Sequence, residues 1–385
     1  MKVLHLISSG GMYGAEAVVA TLASNLQNLG EDTIVGVFDN AHRPRNDASD
    51  RIEKAGVKVI RIPCRGRADR QTVGVIRKLI RTEQVDILHS HGYKADIYGY
   101  FATRRLGIPI IATRHNQRGL RHTLAIRLYE FFDILFLRHF NAVAAVSDLI
   151  AEELLRAGIA PQKVAVIGNG IDLSRFAGAS PTLSEELNKG QRLLIGTAGR
   201  LIPQKGIEYF LMAASEVLKE FPSLLFGIVG EGPHRSTLER LIKDLGIKRS
   251  VVFTGPRADM PNVYASLDVF VLPSLEEGMP MAVLEALASG LPVIATKVGA
   301  ITKLVFPNRT GILVQPREAK DLAGALISLI RDPELRVRLG QNGRSLVRNE
   351  YSSAVMSQRY LRLYEELLNE KAQIRKPISV SDLTT

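Results

Sequence analysis

Tryptophan is absent from the 385 residues, and cysteine occurs once, as Cys64. A single thiol excludes an intramolecular disulfide and fits a reducing compartment. Aromatic residues reach only 6%, and no zinc-finger or basic-zipper spacing appears, so nucleic acid is not an expected partner. Long apolar runs are missing too: none approaches the roughly 18–20 residues that span a bilayer. The opening MKVLHLISSGG is too short in apolar residues for a secretory leader and reads as a first strand ending in a glycine turn. Acids are outnumbered, 39 against 50 Lys and Arg, leaving a formal charge of +11. That excess fits anionic partners, whether phosphorylated substrates or an anionic membrane surface. A cytoplasmic protein, able to sit peripherally at the inner face of the membrane, is the expectation.

The length favours two domains. In the first half, strands are predicted at 3–8, 33–38, 57–62, 86–90, 108–113, 142–146 and 163–168. Helices are predicted at 15–29, 70–82, 93–105, 122–139 and 148–157. A polar stretch over 174–191 reads as a linker. A second series follows, with strands at 193–198, 224–229, 251–254, 269–272, 293–296 and 311–314 and helices at 207–220, 234–245, 259–266, 281–289 and 318–330. The span 315–349 is read as largely helical, and 351–370 as a last amphipathic helix. Such alternation predicts parallel sheets covered on both faces, with functional residues at the carboxyl edges of the strands. The expected division is 1–173, the linker 174–191, and 192–350, as two doubly wound α/β domains facing each other across a cleft.

The edge rule selects candidates. Gly10 and Gly11 follow the first strand, His89 and His91 end a later one, and Thr113-Arg114-His115 ends the next. For His89 a satisfied strand-end histidine is as good a reading as a functional one. The trio His89, His91 and His115 lacks a nearby cysteine or carboxylate that would complete a ligand set, so substrate contact is preferred over metal. Seven arginines crowd 104–138 around an apolar helix whose narrow polar stripe fits either a core or a lipid surface. In the second half, Arg200 and Lys205 lie between a strand end and a helix N-terminus. There a forked donor and a point charge can meet phosphate oxygens, or can simply be solvated.

The most informative stretch is LEEGMPMAVLEALASGLP at 275–292. Pro280 fits the first turn of a helix that Gly290 and Pro292 stop. Glu277 falls before that helix, and Glu285 falls inside it among apolar residues, where a carboxylate needs a compensating partner. Backbone N–H groups over 278–282, at Gly278, Met279 and the residues after Pro280, open an anion site.

Together GGMYGAE, HSHGYKAD, TRH, AVS, NGID, GRLIPQKG, GEGP and PSLEEGMPMAVLEALASGLPVIAT resemble the retaining glycosyltransferases of family 4, with the two-domain GT-B fold. The acid pair eight apart is the most specific element. The resemblance implies a nucleotide-diphosphate sugar as donor and a glycan or lipid-linked acceptor. It also implies no cofactor and no required metal, and a role in cell-surface or extracellular polysaccharide or glycolipid synthesis. By it Arg200 and Lys205 would hold the diphosphate, helped by Gly10, Gly11 and the N–H groups after Gly278. Glu285 would bind the ribose, Glu277 would orient the transferring sugar, Pro256 and Arg257 would flank the base, and His115 would face the reacting centre. It further suggests that the last helix crosses back onto the first domain. Where relatives show Gly-Gly-x-Pro-Glu, this chain has Gly299-Ala300-Ile301-Thr302-Lys303. A nucleotide-sugar epimerase on the same fold, or a non-catalytic nucleotide-sugar-binding or membrane-scaffold protein, would share the same cleft.

Overall fold

The structure is a computed structural model that describes residues 1–8, 14–40, 47–65, 69–115 and 124–374. Two compact units are present: Met1–Gly170 with the C-terminal segment from Ser353, and Ile171–Ser352.

In the first unit the chain runs β1 (Lys2–Ile7), α1 (Gly14–Asn28), β2 (Asp32–Asn40), α2 (Asp47–Lys54), β3 (Lys58–Cys64), α3 (Arg70–Thr82) and β4 (Ile87–His91). It continues through α4 (Tyr93–Thr103), β5 (Ile110–Arg114), α5 (Leu124–Leu137), β6 (Ala142–Ala145), α6 (Asp148–Arg156) and β7 (Val164–Val166). All seven strands are parallel, in the order β3-β2-β1-β4-β5-β6-β7. Residues of β1, β4 and β5 are buried on both faces, as a sheet sandwiched by helices requires. Helix α2 was not anticipated from the sequence. Its residues DASDRIEK are almost all polar, and the apolar Ile52 anchors it in the core with Val35 and Val57.

The second unit contains α7 (Thr182–Glu186), β8 (Leu194–Ala198), α8 (Ile207–Leu218), β9 (Leu225–Val229), α9 (Arg235–Asp244), β10 (Val251–Gly255) and α10 (Met260–Ser266). After these come β11 (Val269–Leu272), α11 (Met281–Ala288), β12 (Val293–Thr296), β13 (Gly311–Val314), α12 (Ala319–Arg331) and α13 (Pro333–Glu350). Its six strands are parallel, in the order β10-β9-β8-β11-β12-β13. One apolar cluster lies around α8 and α12, another around α10 and α11. The helical span predicted over 315–349 breaks at Asp332. That carboxylate caps α13 by accepting from the Leu335 N–H, and Pro333 occupies the first turn.

Residues 174–191, expected as a linker, are built into the second unit. Phe176 and Leu183 are buried with Tyr264, and the Ser184 hydroxyl donates to the Ser266 carbonyl. Polar residues around two apolar anchors read as a loop in sequence but form a turn and a short helix once α10 supplies a surface. The chain ends its described course in α14 (Ser353–Ile374), which lies against α1 within the first unit.

Candidate active site

Strand order reverses in each sheet beside its starting strand, between β1 and β4 in one unit and between β8 and β11 in the other. At such a point the loops leaving two neighbouring strands diverge to opposite faces and open a crevice at the carboxyl edge. Both groups of candidate residues stand at these two places.

In the second unit the loop after β8 carries Arg200 and ends in the tight turn Pro203–Lys205, and the loop after β11 carries Glu277. Lys205 Nζ donates to Glu277 Oε1 at 2.6 Å, and Ser274 Oγ donates to the same oxygen at 2.6 Å. The two loops are clamped together. The Leu275 N–H donates to the Gln204 carbonyl at 2.8 Å, and Gly206, at φ +59°, lies so close to Pro273 that a Cβ would sit 2.2 Å from its carbonyl oxygen. A third loop closes on the Glu277 turn. Gly299 has φ +54°, a Cβ there would come within 1.8 Å of the Glu277 carbonyl oxygen, and the Ala300 N–H donates to the Gly278 carbonyl. Arg200 and Lys303 are exposed on this edge. Only glycine fits at 206 and 299, so the backbone around Glu277 is set by contact rather than by the acid itself.

Pro280 is the residue preceding α11 rather than its first turn, with extended backbone angles. Met279 packs against the α11 cluster. One turn into the helix, Glu285 has the partner its burial requires: Tyr264 Oη donates to Oε2 at 2.9 Å. Burial still raises the Glu285 pKa, against the lowering effects of Tyr264 and of the Arg175 charge. Among the described residues Oε1 makes no hydrogen bond. Pro256 and Arg257 follow β10, but the Arg257 guanidinium is engaged by two acids. It grips Glu186 of α7 through two contacts of 2.8 Å and Asp259 through contacts of 2.8 and 2.7 Å. These hydrogen bonds lower the pKa values of Glu186 and Asp259.

In the first unit, the register pairs His5 with His89 and His91 with Thr113. Alternation along the strands then puts His5, His89, His91, Thr113 and His115 on one face. His89 is fully satisfied, Nδ1 with Tyr364 Oη and Nε2 with Thr113 Oγ1, both at 2.7 Å, and Thr113 also meets Tyr360 of α14 at 2.9 Å. Nitrogens of His5, His89 and His91 lie within 4.8 Å of one another, a spacing open to a metal ion. Both His89 nitrogens are engaged by hydroxyls. Burial depresses all four imidazoles, His5 to about 3 and His115 to about 4, with Arg114 adding to the effect at His115. On the opposite face Ser90 donates to Asp96 of α4, and Arg114 pairs with Asp133 of α5. Burial, together with the nearby Asp133 charge, raises the Asp96 pKa well above the carboxylate range.

The sequence-selected residues Lys205, Glu277, Gly278 and Arg200 thus share one edge, with Glu285 along the adjoining helix and His115 in the other unit. Gly10 and Gly11 lie outside the described residues. His5, Ser274, Tyr264 and Glu186 were missed. His5 had one usable signal, since the first strand of a doubly wound sheet lies beside its fourth, which ends in HSH.

A family model described as Glycosyltransferase Family 4 matches residues 12–175, and one described as Glycosyl transferases group 1 matches residues 180–346. The chain is 30% identical over 319 residues to the UDP-Gal:alpha-D-GlcNAc-diphosphoundecaprenol alpha-1,3-galactosyltransferase of Escherichia coli, covering 79% of this chain and 81% of that protein. It is 28% identical over 308 residues to the alpha-D-kanosaminyltransferase of Streptomyces kanamyceticus, covering 76% and 80%. Among solved structures, HepE of Anabaena in complex with UDP superposes with a TM-score of 0.85 at 22% identity, covering 95% of this chain and all of that one.

Proposed function

Because the chain belongs to glycosyltransferase family 4 and has the GT-B fold of two Rossmann-like units, we propose that it transfers a sugar, with retention at the anomeric carbon, from a nucleoside-diphosphate sugar held by the second unit. The observation that carries this reading is the Lys205–Glu277 pair at the β8/β11 switch point. Lys205 offers three N–H donors and spends one on Glu277, so it can turn the others to the diphosphate, with the exposed Arg200 on the same edge. In this reading the bond between C1 and the diphosphate oxygen breaks, and the acceptor oxygen bonds C1 on the same face. The acceptor's proton leaves on the released diphosphate. Positive charge grows on the sugar beside Glu277 and negative charge on the diphosphate beside Lys205, Arg200 and the N–H groups after Gly278, so no metal is required. Glu285 Oε1 takes a ribose hydroxyl, while Tyr264 keeps the other oxygen in place.

The Escherichia coli relative acts on a diphosphoundecaprenol-linked sugar, which supports a lipid-linked acceptor and a role in cell-surface polysaccharide synthesis. Phe131, Phe132 and Leu135 stand exposed on α5, Arg138 follows that helix, and Arg104 and Arg105 are exposed at the end of α4, which packs against α5. We assign this face to peripheral contact with an anionic bilayer. No helix of the described residues is long and apolar enough to cross one.

Purified protein offered a panel of nucleotide sugars, UDP-sugars first, with lipid-linked acceptors should release nucleoside diphosphate and form product with the donor's anomeric configuration. An inverted product removes the retaining assignment. Full activity in both Lys205→Ala and Glu277→Ala removes the donor site, and loss of activity in chelator removes metal independence.

A further inference from the structure

His115, His91 and His5 form an unbroken line of imidazoles. His115 Nε2 lies 3.2 Å from His91 Nδ1, and His91 Nε2 lies 3.2 Å from His5 Nδ1. The two outer nitrogens, His115 Nδ1 and His5 Nε2, are buried and without a hydrogen-bond partner among the described residues. His89 stands beside the line, its ring 4.2 Å from that of His91, but its own nitrogens are taken by Tyr364 and Thr113.

A neutral imidazole has one N–H and one bare nitrogen. A bond between two rings therefore requires an N–H on one and a bare nitrogen on the other. If His91 carries its proton on Nε2 it donates to His5 Nδ1, which must be bare, so His5 is protonated on Nε2. The bare His91 Nδ1 then accepts from His115, which is again protonated on Nε2. Reversing one ring reverses all three. Hence all are Nε2–H or all are Nδ1–H, and any mixture forfeits a buried hydrogen bond. Burial keeps the rings neutral, and the Arg114 charge opposes an imidazolium at His115.

The two states present different groups to a substrate. All-Nδ1–H gives His115 an N–H that competes for the lone pair of an attacking hydroxyl, whereas all-Nε2–H gives it a bare Nδ1 that accepts the hydroxyl's hydrogen and leaves the lone pair directed elsewhere. We propose that His91 and His5 are positioning residues that lock His115 into the one tautomer shared by all three rings, and so fix the group its ring presents to the acceptor hydroxyl. The proposal rests on the glycosyltransferase reading above, with His115 at the acceptor. No proton passes along the line; His115 orients the hydroxyl.

The test combines ring-¹⁵N spectra of histidines in the full-length protein at about pH 7 with the kinetics of His91→Phe, His91→Gln and His5→Phe. His5, His91 and His115 should all show one and the same neutral tautomer. In His91→Phe the His115 signal should turn to mixed tautomers, and kcat should fall roughly tenfold to a hundredfold with donor KM changed less than about twofold. His91→Gln, whose amide both accepts and donates, should recover most of the rate. His5→Phe keeps the inner bond intact and should give the same changes at smaller size, which guards against a His91→Phe protein that fails to fold. Unlike tautomers in the wild type, an unchanged His115 signal in both Phe variants, or a stoichiometric transition metal bound at these rings overturns the proposal. If the spectra agree but no donor is turned over, the glycosyltransferase reading fails and the tautomer linkage stands.

Discussion

The two units share a topology and use their switch points in opposite electrostatic ways. In the first, the polar residues under the carboxyl edge are dry: on one face four histidines whose pKa values burial depresses, and on the other Asp96, whose pKa burial raises, beside the buried Arg114–Asp133 pair. In the second, they are charged and reachable, with Lys205 paired to Glu277 and Arg257 paired to Glu186 and Asp259. In the proposed reaction the second unit's charged edge would meet the diphosphate, and the first unit's histidine face would offer neutral donors and acceptors. The difference comes from depth. His5 and His89 sit within their strands, whereas Lys205 and Glu277 sit on loops beyond them.

The sharpest break of this contrast is Lys205→Ala, which removes the cation proposed to meet the leaving group. Transfer should fall about 10²–10³-fold with folding intact; a loss of less than about threefold would mean that the charged edge serves structure.

Acid separates the units next. A buried neutral imidazole has a folded pKa below its unfolded one. Its cost is therefore absent above about pH 6.5 and grows as pH falls toward about 3 for His5 and about 4 for His115, by about 1.4 kcal/mol per pH unit per group. Paired carboxylates such as Glu186 and Asp259 also lose stabilisation on acidification, but only as pH falls below their unfolded values of 4.5 and 3.8. Asp96 runs the other way, since a folded pKa raised above 3.8 makes its burial cost grow as pH rises. Urea midpoints followed from about pH 7 to pH 4.5 should drop chiefly through the first unit; a flat profile would refute the neutral histidine cluster.

A smaller effect is expected at Gly299→Ala, where the new Cβ would collide with the Glu277 carbonyl. Strain of about 1–3 kcal/mol is expected, with donor KM raised as the Glu277 turn shifts. Glu285→Gln should weaken donor binding about tenfold and leave the rate at saturation nearly unchanged. A large fall in kcat would instead move Glu285 into the chemistry. The mildest change is Arg235→Ala, which removes exposed pairs with Glu231 and Glu239 and should leave the urea midpoint nearly unchanged.

Much of the donor edge was legible in the chain because its residues are close in sequence or bounded by glycine and proline. Glu277, Gly278 and Glu285 lie within one turn and helix, and Arg200 and Lys205 within one loop. Their mutual contact was not legible, since Lys205 and Glu277 are 72 positions apart and meet because β8 and β11 are neighbours. The same holds for Arg257. Its position after a strand suggested a place beside a base, but Glu186, hidden in a stretch that looked like a linker, claims the guanidinium.

Alternating apolar runs with helices at a period of 3.6 determined by themselves that there are two parallel, doubly wound sheets. Burial of strand residues on both faces admits few other arrangements. Pro280, Gly290 and Pro292 likewise determined that Glu277 precedes a helix and Glu285 lies inside it. Only the tertiary structure decided which charges are neutralised and which titrate. Those outcomes depend on strand order and on depth below the sheet edge, which bring His5 to His91 across 86 positions and dry the pair, and neither quantity is encoded in local sequence.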